Sequence, residues 1–199
     1  MGGYFSDIPK KDVLLVSRFN IDTLYLFFLL FFAFSSAILG DSTAEALLLA
    51  HFDSSMIPIL FFVNAVFLFF SSALLMSFID RMDRGLFFIR FCIVHSIVLI
   101  GIRCAVIADL TLFYVPLFSY AYVSKIILFL LFWTLANDLI DSRRAGKEFP
   151  IISAGGTFGA ILVSFSIPWI LTRFPAKNLI VFWSLLQLCS IGLLFPLRK

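Results

Sequence analysis

The sequence predicts an all-helical, polytopic membrane protein with six transmembrane helices in a single domain that covers residues 1–199. Hydrophobic residues make up 62% of the 199 residues, charged residues make up 14%, and the mean hydropathy is +1.08. Soluble domains contain about a quarter charged residues and about half apolar ones, so this composition practically excludes a soluble enzyme. The charged residues lie at the ends of long apolar runs rather than in one patch, which argues against binding to nucleic acid.

Six apolar segments define the predicted helices. A helix that crosses about 30 Å of hydrocarbon needs about 20 mostly apolar residues, because lipid offers no hydrogen-bond partner to an unpaired backbone group. The segments that meet this requirement are approximately residues 24–40, 56–79, 86–108, 118–139, 151–171 and 180–197. Residues 1–20 precede them and predict a cytoplasmic segment with a short interfacial helix, in which apolar and basic residues alternate.

The distribution of Lys and Arg predicts the orientation, since these residues are retained on the cytoplasmic side of membrane segments. If the N-terminus is cytoplasmic, the outer connections contain only Arg173 and Lys177, and the inner ones contain most of the other basic residues. We therefore expect both termini to be cytoplasmic, in a multi-pass protein of the bacterial inner membrane. The first outer connection, residues 41–55, contains the capping-box pattern Ser42 to Glu45, which predicts a brief separate helix on the outer surface.

Polar residues inside the apolar segments are costly and are therefore candidate functional residues. Lys125 lies about 10 Å from the outer end of the fourth segment and Asn64 about 12 Å along the second, so the two side chains are predicted to lie at one level. Lys125 is the main candidate for binding an anionic solute, and Asn64 is the second. The alternative for Lys125 is snorkelling to the outer interface or pairing with Asp109, and the alternative for Asn64 is a hydrogen bond that joins two helices.

Two further polar residues are better explained by packing or position. His95 lies near the membrane midplane, where a proton relay is the alternative to a neutral, hydrogen-bonded packing residue. Arg103 lies close enough to the outer face for its guanidinium group to snorkel. The pair Asn137 and Asp138 lies at the end of the fourth segment.

The fifth segment contains a strip of small residues in which Gly155 and Gly159 form G-x-x-x-G and Gly156 precedes Ala160 by four residues. This spacing lets two helix backbones approach closely, so we predict helix packing by Gly155, Gly156 and Gly159. A phosphate-binding loop is a poor alternative, because no G-K-[ST] follows.

Two stretches of the sequence resemble a known family. Residues 76–84 read MSFIDRMDR and resemble the major facilitator signature G-x-x-x-D-R-x-G-R, with Met76 and Asp83 at the glycine positions. Residues 132–150 read FWTLANDLIDSRRAGKEFP and, with the Gly-rich segment that follows and the outer connection, are similar to the ATP/ADP translocase-like branch of that superfamily. The resemblance covers nearly the whole chain, as the N-terminal six-helix half. It implies that Asp80, Arg81 and Arg84 join the cytoplasmic ends of helices and act in gating.

The resemblance also implies a function and a partner. The family fold has two six-helix halves around a cavity, so we expect the lipid-embedded chain to work with a second six-helix half or as a homodimer. The expected function is that of a secondary-transporter-type domain for an unidentified, anionic solute, and the alternative is a non-transporting scaffold or regulatory interaction domain. No enzyme activity, cofactor or metal is expected, because G-x-S-x-G and H-E-x-x-H are absent from the sequence and the two His residues lie far apart.

Overall fold

The computed structural model describes residues 10–79, 82–108 and 110–197, with the side chains of residues 10–20, 76, 78 and 79 outside that description. Its helices are α1 (Lys10–Leu49), α2 (Met56–Ile79), α3 (Arg84–Ile107), α4 (Tyr114–Leu139), α5 (Ser142–Leu171) and α6 (Leu179–Leu197). Short 3-10 turns, Thr111–Phe113 and Ala176–Asn178, precede α4 and α6. Each of the six helices contains a segment long and apolar enough to cross a bilayer. This confirms the predicted all-helical, multi-pass membrane class.

The first helix is longer than the sequence predicted. It runs without a break from Lys10 to Leu49, so the separate surface helix predicted after Gly40 is wrong. The hydroxyl of Thr43 donates to the carbonyl of Leu39 at 2.6 Å, a bond made within the helix rather than an N-cap. The C-terminal part of α1 is also packed, because Ala44, Leu47 and Leu48 are buried in the core. Tertiary burial therefore keeps this stretch in the helix despite its capping pattern.

The fourth and fifth helices also begin earlier than predicted. Tyr114, four residues before the expected start, opens α4 and is fully buried. The basic stretch before residue 151 is the beginning of α5 rather than a loop, and Asp141 caps it by accepting a bond from the backbone N–H of Arg143. Asp83 caps α3 in the same way, with a 2.7 Å bond from the N–H of Leu86. Both caps place a carboxylate at a helix N-terminus, where it satisfies free backbone donors.

The helices pack in a pattern that repeats within the chain. The principal contacts of α1 are with α4, α5 and α6, those of α3 are with α4 and α6, and α2 packs mainly on α4. Exchanging α1 with α4, α2 with α5 and α3 with α6 leaves this set of contacts unchanged. The list of neighbouring helices is therefore symmetric, but the contacts are not equivalent in extent, because α1 packs far more closely on α5 than α2 packs on α4.

The core consists of two apolar clusters with polar residues between them. One cluster includes Leu26, Phe88 and Phe132, and the other includes Leu99 and Trp183. On α1, α3, α4 and α6, buried polar residues lie between the segments that form the two clusters. We call these residues the polar layer: Ser35, Ser36, His95, Ser96, Ser124, Ser184, Gln187 and Ser190. The helix α2 contributes little to either cluster, and most of its described side chains are exposed.

Candidate solute-binding site

Hydrogen bonds between helices pair polar side chains at the centre of the polar layer. Ser36 Oγ donates to Gln187 Oε1 at 2.6 Å, and Gln187 Nε2 donates to Cys92 Sγ at 3.0 Å. His95 Nδ1 lies 2.7 Å from the hydroxyl of Tyr120. Because buried polar groups that have partners stabilise a unique arrangement, this network joins α1, α3, α4 and α6.

The environment of His95 is that of a packing residue. Its ring is stacked on Phe91 and Tyr120 and lies edge-on to Trp183, with centroids 5.3–5.8 Å apart. The side chain is buried, and one ring nitrogen is engaged by Tyr120. These contacts favour the packing interpretation over the proton relay.

Lys125 is paired with a residue that the sequence did not single out. Its ammonium group bonds the carboxylate of Asp41 on α1 and lies 5.4 Å from the centroid of the Tyr122 ring. Because α4 begins at Tyr114, Lys125 lies about 16 Å along the helix, close to its middle. Both residues therefore belong to candidate membrane spans, and the side chains of Lys125 and Asp41 are 33% and 29% exposed. Asp109, the partner considered from the sequence, lies outside the described residues.

A cavity of about 260 Å³ opens beside this ion pair, between α1 and α4. Lys125 is the charged residue in its lining, and the other lining side chains are apolar. They are Leu30, Ala33, Phe34, Ala37, Ile38, Ile126, Leu128, Phe129 and Phe132. Almost all of the surface that the cavity exposes is apolar, so Lys125 contributes mainly its methylene chain to the wall, while its ammonium group bonds Asp41, which is not part of the lining.

A second, much smaller cavity lies between Lys125 and the polar layer. Its volume is about 10 Å³, and Ser36, His95, Ser124, Lys125 and Trp183 are among its lining residues. This is about the space that one water molecule needs, and the lining supplies several polar partners. Lys125 therefore lies between the open cavity and the polar layer.

Asn64 does not join Lys125. It is fully buried on α2, and neither its amide oxygen nor its amide nitrogen has a hydrogen-bond partner in the described part of the chain. Neither cavity lined by Lys125 includes Asn64 in its lining. A wider cavity between α2 and α4, about 430 Å³, is lined by its neighbours Leu60, Val63 and Phe67. A solute-binding role for Asn64 stays a prediction, separate from the Lys125 cavity.

Replacing Asn64 with leucine tests whether the amide has a function. A buried amide without a partner costs about 1–3 kcal/mol, and an apolar side chain of similar size removes that cost. We expect Asn64→Leu to raise the free energy of unfolding by about 1 kcal/mol, measured by SDS titration of the purified protein in mixed micelles. The matched change Ser72→Ala, at an only partly buried position of α2, should leave it nearly unchanged. A loss of stability in Asn64→Leu would instead indicate that the amide is bonded to a ligand or a water molecule.

The small-residue strip of α5 lies directly against α1. A Cβ atom added to Gly155 would overlap the carbonyl oxygen of Phe27, and one added to Gly159 would overlap that of Phe31. A Cβ on Gly156 would lie 3.0 Å from the Leu30 side chain. The two helix backbones therefore approach as closely as G-x-x-x-G spacing allows.

A second close approach was missed by the sequence analysis. A Cβ atom on Gly40 would overlap the indole ring of Trp183, which is almost fully buried. The sequence predicts Gly40 as the end of the first span, whereas in the structure it is the point at which α6 packs on α1. In the sequence, Gly40 followed by three polar residues resembles a helix terminus. Only the length of the apolar run after residue 45 indicates that the helix continues.

Of the three predicted gating residues, only Arg84 lies within the described part of the chain; Asp80 and Arg81 lie outside it. Arg84 pairs with Asp138 and joins the start of α3 to the end of α4, where both side chains are more than one-third exposed. At the same end of the bundle, the hydroxyl of Thr23 donates to Glu148 at 3.1 Å and joins α1 to α5.

At the opposite end, Arg103 donates to the side-chain oxygen of Asn178, in the turn before α6. The guanidinium group thus reaches the end of the bundle, as the snorkelling interpretation of Arg103 requires.

Comparisons of the chain with protein-family models, with curated proteins and with solved structures found no match. The arrangement of the residues themselves is therefore the basis for a functional proposal. Among the described residues, no group of three or more His, Cys, Asp or Glu side chains is placed to hold a metal ion.

Proposed function

We propose that this chain is a secondary-transporter-type membrane domain that binds a small organic anion in the cavity between α1 and α4. The observation that carries this proposal is the Asp41–Lys125 ion pair, which lies within two candidate membrane spans and whose lysine lines that cavity. Ionisable residues are costly at this depth and usually mark a solute or ion pathway. Lys125 supplies the positive charge that attracts the anion, and Asp41 balances that charge when the site is empty.

The lining of the cavity favours an amphipathic solute over a nucleotide. Apart from Lys125, the walls are Leu, Ile, Ala and Phe side chains, which offer no partners to a sugar or to several phosphates. A volume of about 260 Å³ is slightly below the range of ligand pockets, which starts at about 300 Å³. The substrate class is therefore a small carboxylate or sulfonate with an aromatic or branched aliphatic body.

The symmetric list of helix neighbours supports a transport role. Inverted three-helix units recur in transporters, with the solute site at the interface between repeats. Here α1 and α4 occupy equivalent positions in the list of helix neighbours, and the ion pair and the cavity both lie between them. In agreement with the resemblance to the major facilitator superfamily, we propose that the chain acts with a second six-helix half or as a homodimer. We also propose cytoplasmic termini, a bacterial inner-membrane location, and a gating role for Arg84 with Asp80 and Arg81.

Equilibrium binding to the purified chain in lipid nanodiscs tests the proposal. We expect saturable binding of labelled benzenesulfonate, little binding of the neutral analogue benzenesulfonamide, and weak or no binding of ATP, ADP and phosphate. Lys125→Met should weaken benzenesulfonate binding at least about tenfold, because the charge contact is lost. The control Lys147→Met removes an exposed cation near the start of α5 and should leave binding unchanged.

Other results of this experiment would contradict the proposal. Equal binding of the sulfonate and the sulfonamide, or unchanged affinity in Lys125→Met, would show that Lys125 does not hold the anion. Absence of any saturable binding by folded protein would favour the scaffold function. For that function, the exposed apolar side chains of α2, such as Phe62, Phe69 and Phe70, offer a surface for another membrane helix.

A further inference from the structure

We propose that α5 binds an anionic phospholipid of the surrounding membrane, with the phosphate group at Arg143 and Lys147 and one acyl chain in a groove beside Phe27. This lipid site is separate from the cavity between α1 and α4, and it does not depend on the solute proposed there.

An open groove of about 740 Å³ runs along α5 at residues 150–161, beside Phe27 of α1. Its middle is lined by the small side chains of Ser153, Ala154 and Thr157. The hydroxyl of Thr157 donates to the carbonyl of Ser153 at 3.3 Å, so it is already paired within the helix. The surface of the groove is mainly apolar, which suits a slender apolar chain.

The length of the groove fits one leaflet of a bilayer. Residues 150–161 extend about 16 Å along the helix axis, and each leaflet supplies half of a hydrocarbon core that is about 30 Å thick. The whole of α5 has 30 residues and is about 45 Å long, so its first turns reach the headgroup region. A groove of this length suits the acyl chain of one lipid better than a neighbouring helix, which would pack across the full thickness of the core.

Two basic residues, Arg143 and Lys147, lie on the same face of α5 as the groove. With the lining positions they form a series at steps of three or four residues, the spacing of one helix face: 143, 147, 150, 154, 157 and 161. Both basic side chains are exposed, and neither is paired with a carboxylate in the described part of the chain. They precede Pro150 by about 10 and 5 Å along the helix. This is where the headgroup of a lipid lies when its chain fills the groove.

Space for a phosphate group lies between the two cations. Gly146 is exposed in the turn between them, and a Cβ atom added to it would have no heavy atom within 4 Å. A phosphate group beside Gly146 can accept hydrogen bonds from both Arg143 and Lys147, and bonds between charged groups are the strong ones. Basic residues at the ends of membrane helices recognise anionic headgroups in this way.

Acidic groups at this end of the bundle are engaged elsewhere. Asp141 caps α5 by accepting a bond from the backbone N–H of Arg143. Glu148 is buried on the face opposite the groove, where it accepts a bond from the hydroxyl of Thr23. Asp138 pairs with the start of α3. The exposed face at the start of α5 is therefore positively charged and complementary to an anionic headgroup.

Native mass spectrometry of the purified full chain in detergent tests the site, because it resolves lipids that bind one at a time. The probes are dioleoyl phosphatidylglycerol and dioleoyl phosphatidylcholine, which have the same acyl chains but differ in net charge. We expect the first phosphatidylglycerol to bind at least about tenfold more tightly than the first phosphatidylcholine. An excess of glycerol 1-phosphate, which has the phosphate but no acyl chain, should not displace the lipid. These measurements use the wild type and do not depend on the folding of any variant.

Variants separate the headgroup contact from the groove. Arg143→Gln combined with Lys147→Gln should reduce the preference for phosphatidylglycerol to less than about threefold. Arg173→Gln, which removes an exposed cation beyond the other end of α5, should keep it. Ala154→Phe fills the groove and should weaken binding of the first phosphatidylglycerol by about tenfold, because the chain loses its apolar contacts. The matched change Ala65→Phe, at an exposed position of α2, should have no effect.

Several outcomes would overturn the lipid site. Equal binding of the two lipids, or a preference that survives the loss of both cations, would show that no phosphate group is held at Arg143 and Lys147. An equal loss in Arg173→Gln would show a response to overall charge only. Displacement by glycerol 1-phosphate would make the ligand a free phosphate ester, and unchanged binding in Ala154→Phe would exclude the groove. A dimer that excludes lipid and is broken by Ala154→Phe would show that the groove holds a second copy of the chain.

Discussion

Alanine at Gly155 or Gly159 should lower the free energy of unfolding by about 3 kcal/mol. This is the largest loss that we expect from adding a single methyl group to this chain. At both positions the new methyl group would overlap a backbone carbonyl oxygen of α1, at Phe27 or at Phe31. A backbone cannot move aside as a flexible side chain does, so α1 and α5 would have to separate along this contact. SDS titration in mixed micelles, followed by tryptophan fluorescence, measures the loss.

Other glycines of the chain provide matched controls. Gly101 and Gly192 have no heavy atom within 4 Å of an added Cβ, and alanine has a higher helix propensity than glycine, by up to about 1 kcal/mol. Gly101→Ala and Gly192→Ala should therefore be neutral or slightly stabilising. Gly156→Ala should fall between the two groups, because the Leu30 side chain that it meets can rotate. Equal effects at all of these positions would show that α1 and α5 do not pack as closely as described.

The number and class of the helices could be predicted from the sequence, because length and apolar composition determine which segments can cross a bilayer. The end of α1 could not. Gly40, Asp41 and Ser42 form a local pattern typical of a helix terminus, and what keeps them helical is contact with distant parts of the chain. Trp183 packs on Gly40, and Lys125 pairs with Asp41.

The candidate site was predicted in part for the same reason. Sequence spacing estimates how deep a residue lies along its own helix, and this identified Lys125 as unusual. It does not say which helices are neighbours, so the sequence predicts Asp109 as a partner of Lys125 and Asn64 as a residue at the same level. Gln187, which joins Ser36 to Cys92 in the polar layer, was not singled out, because one amide in a hydrophobic run looks ordinary until its partners are known.

Lys125→Met should destabilise the protein by about 2–3 kcal/mol, because it leaves the carboxylate of Asp41 without its partner inside the membrane spans. Asp41→Asn should also be destabilising, since it leaves the ammonium group unpaired. The double variant Asp41→Asn with Lys125→Met removes both charges, so it should recover most of the loss. We expect a coupling energy of about 2 kcal/mol from this double-mutant cycle, measured by the same SDS titration.

The Arg84–Asp138 pair is the reference for that cycle. Its side chains are 36% and 45% exposed, at the end of the bundle rather than within it, and exposed ion pairs contribute at most about 1 kcal/mol. The cycle of Arg84→Met and Asp138→Asn should therefore give a coupling energy well below that of Lys125 and Asp41. If the two cycles give equal, small values, the Asp41–Lys125 pair is already solvated as a surface pair is. The comparison of the two cycles therefore tests, independently of any ligand, whether the Asp41–Lys125 pair is shielded from solvent within the bundle.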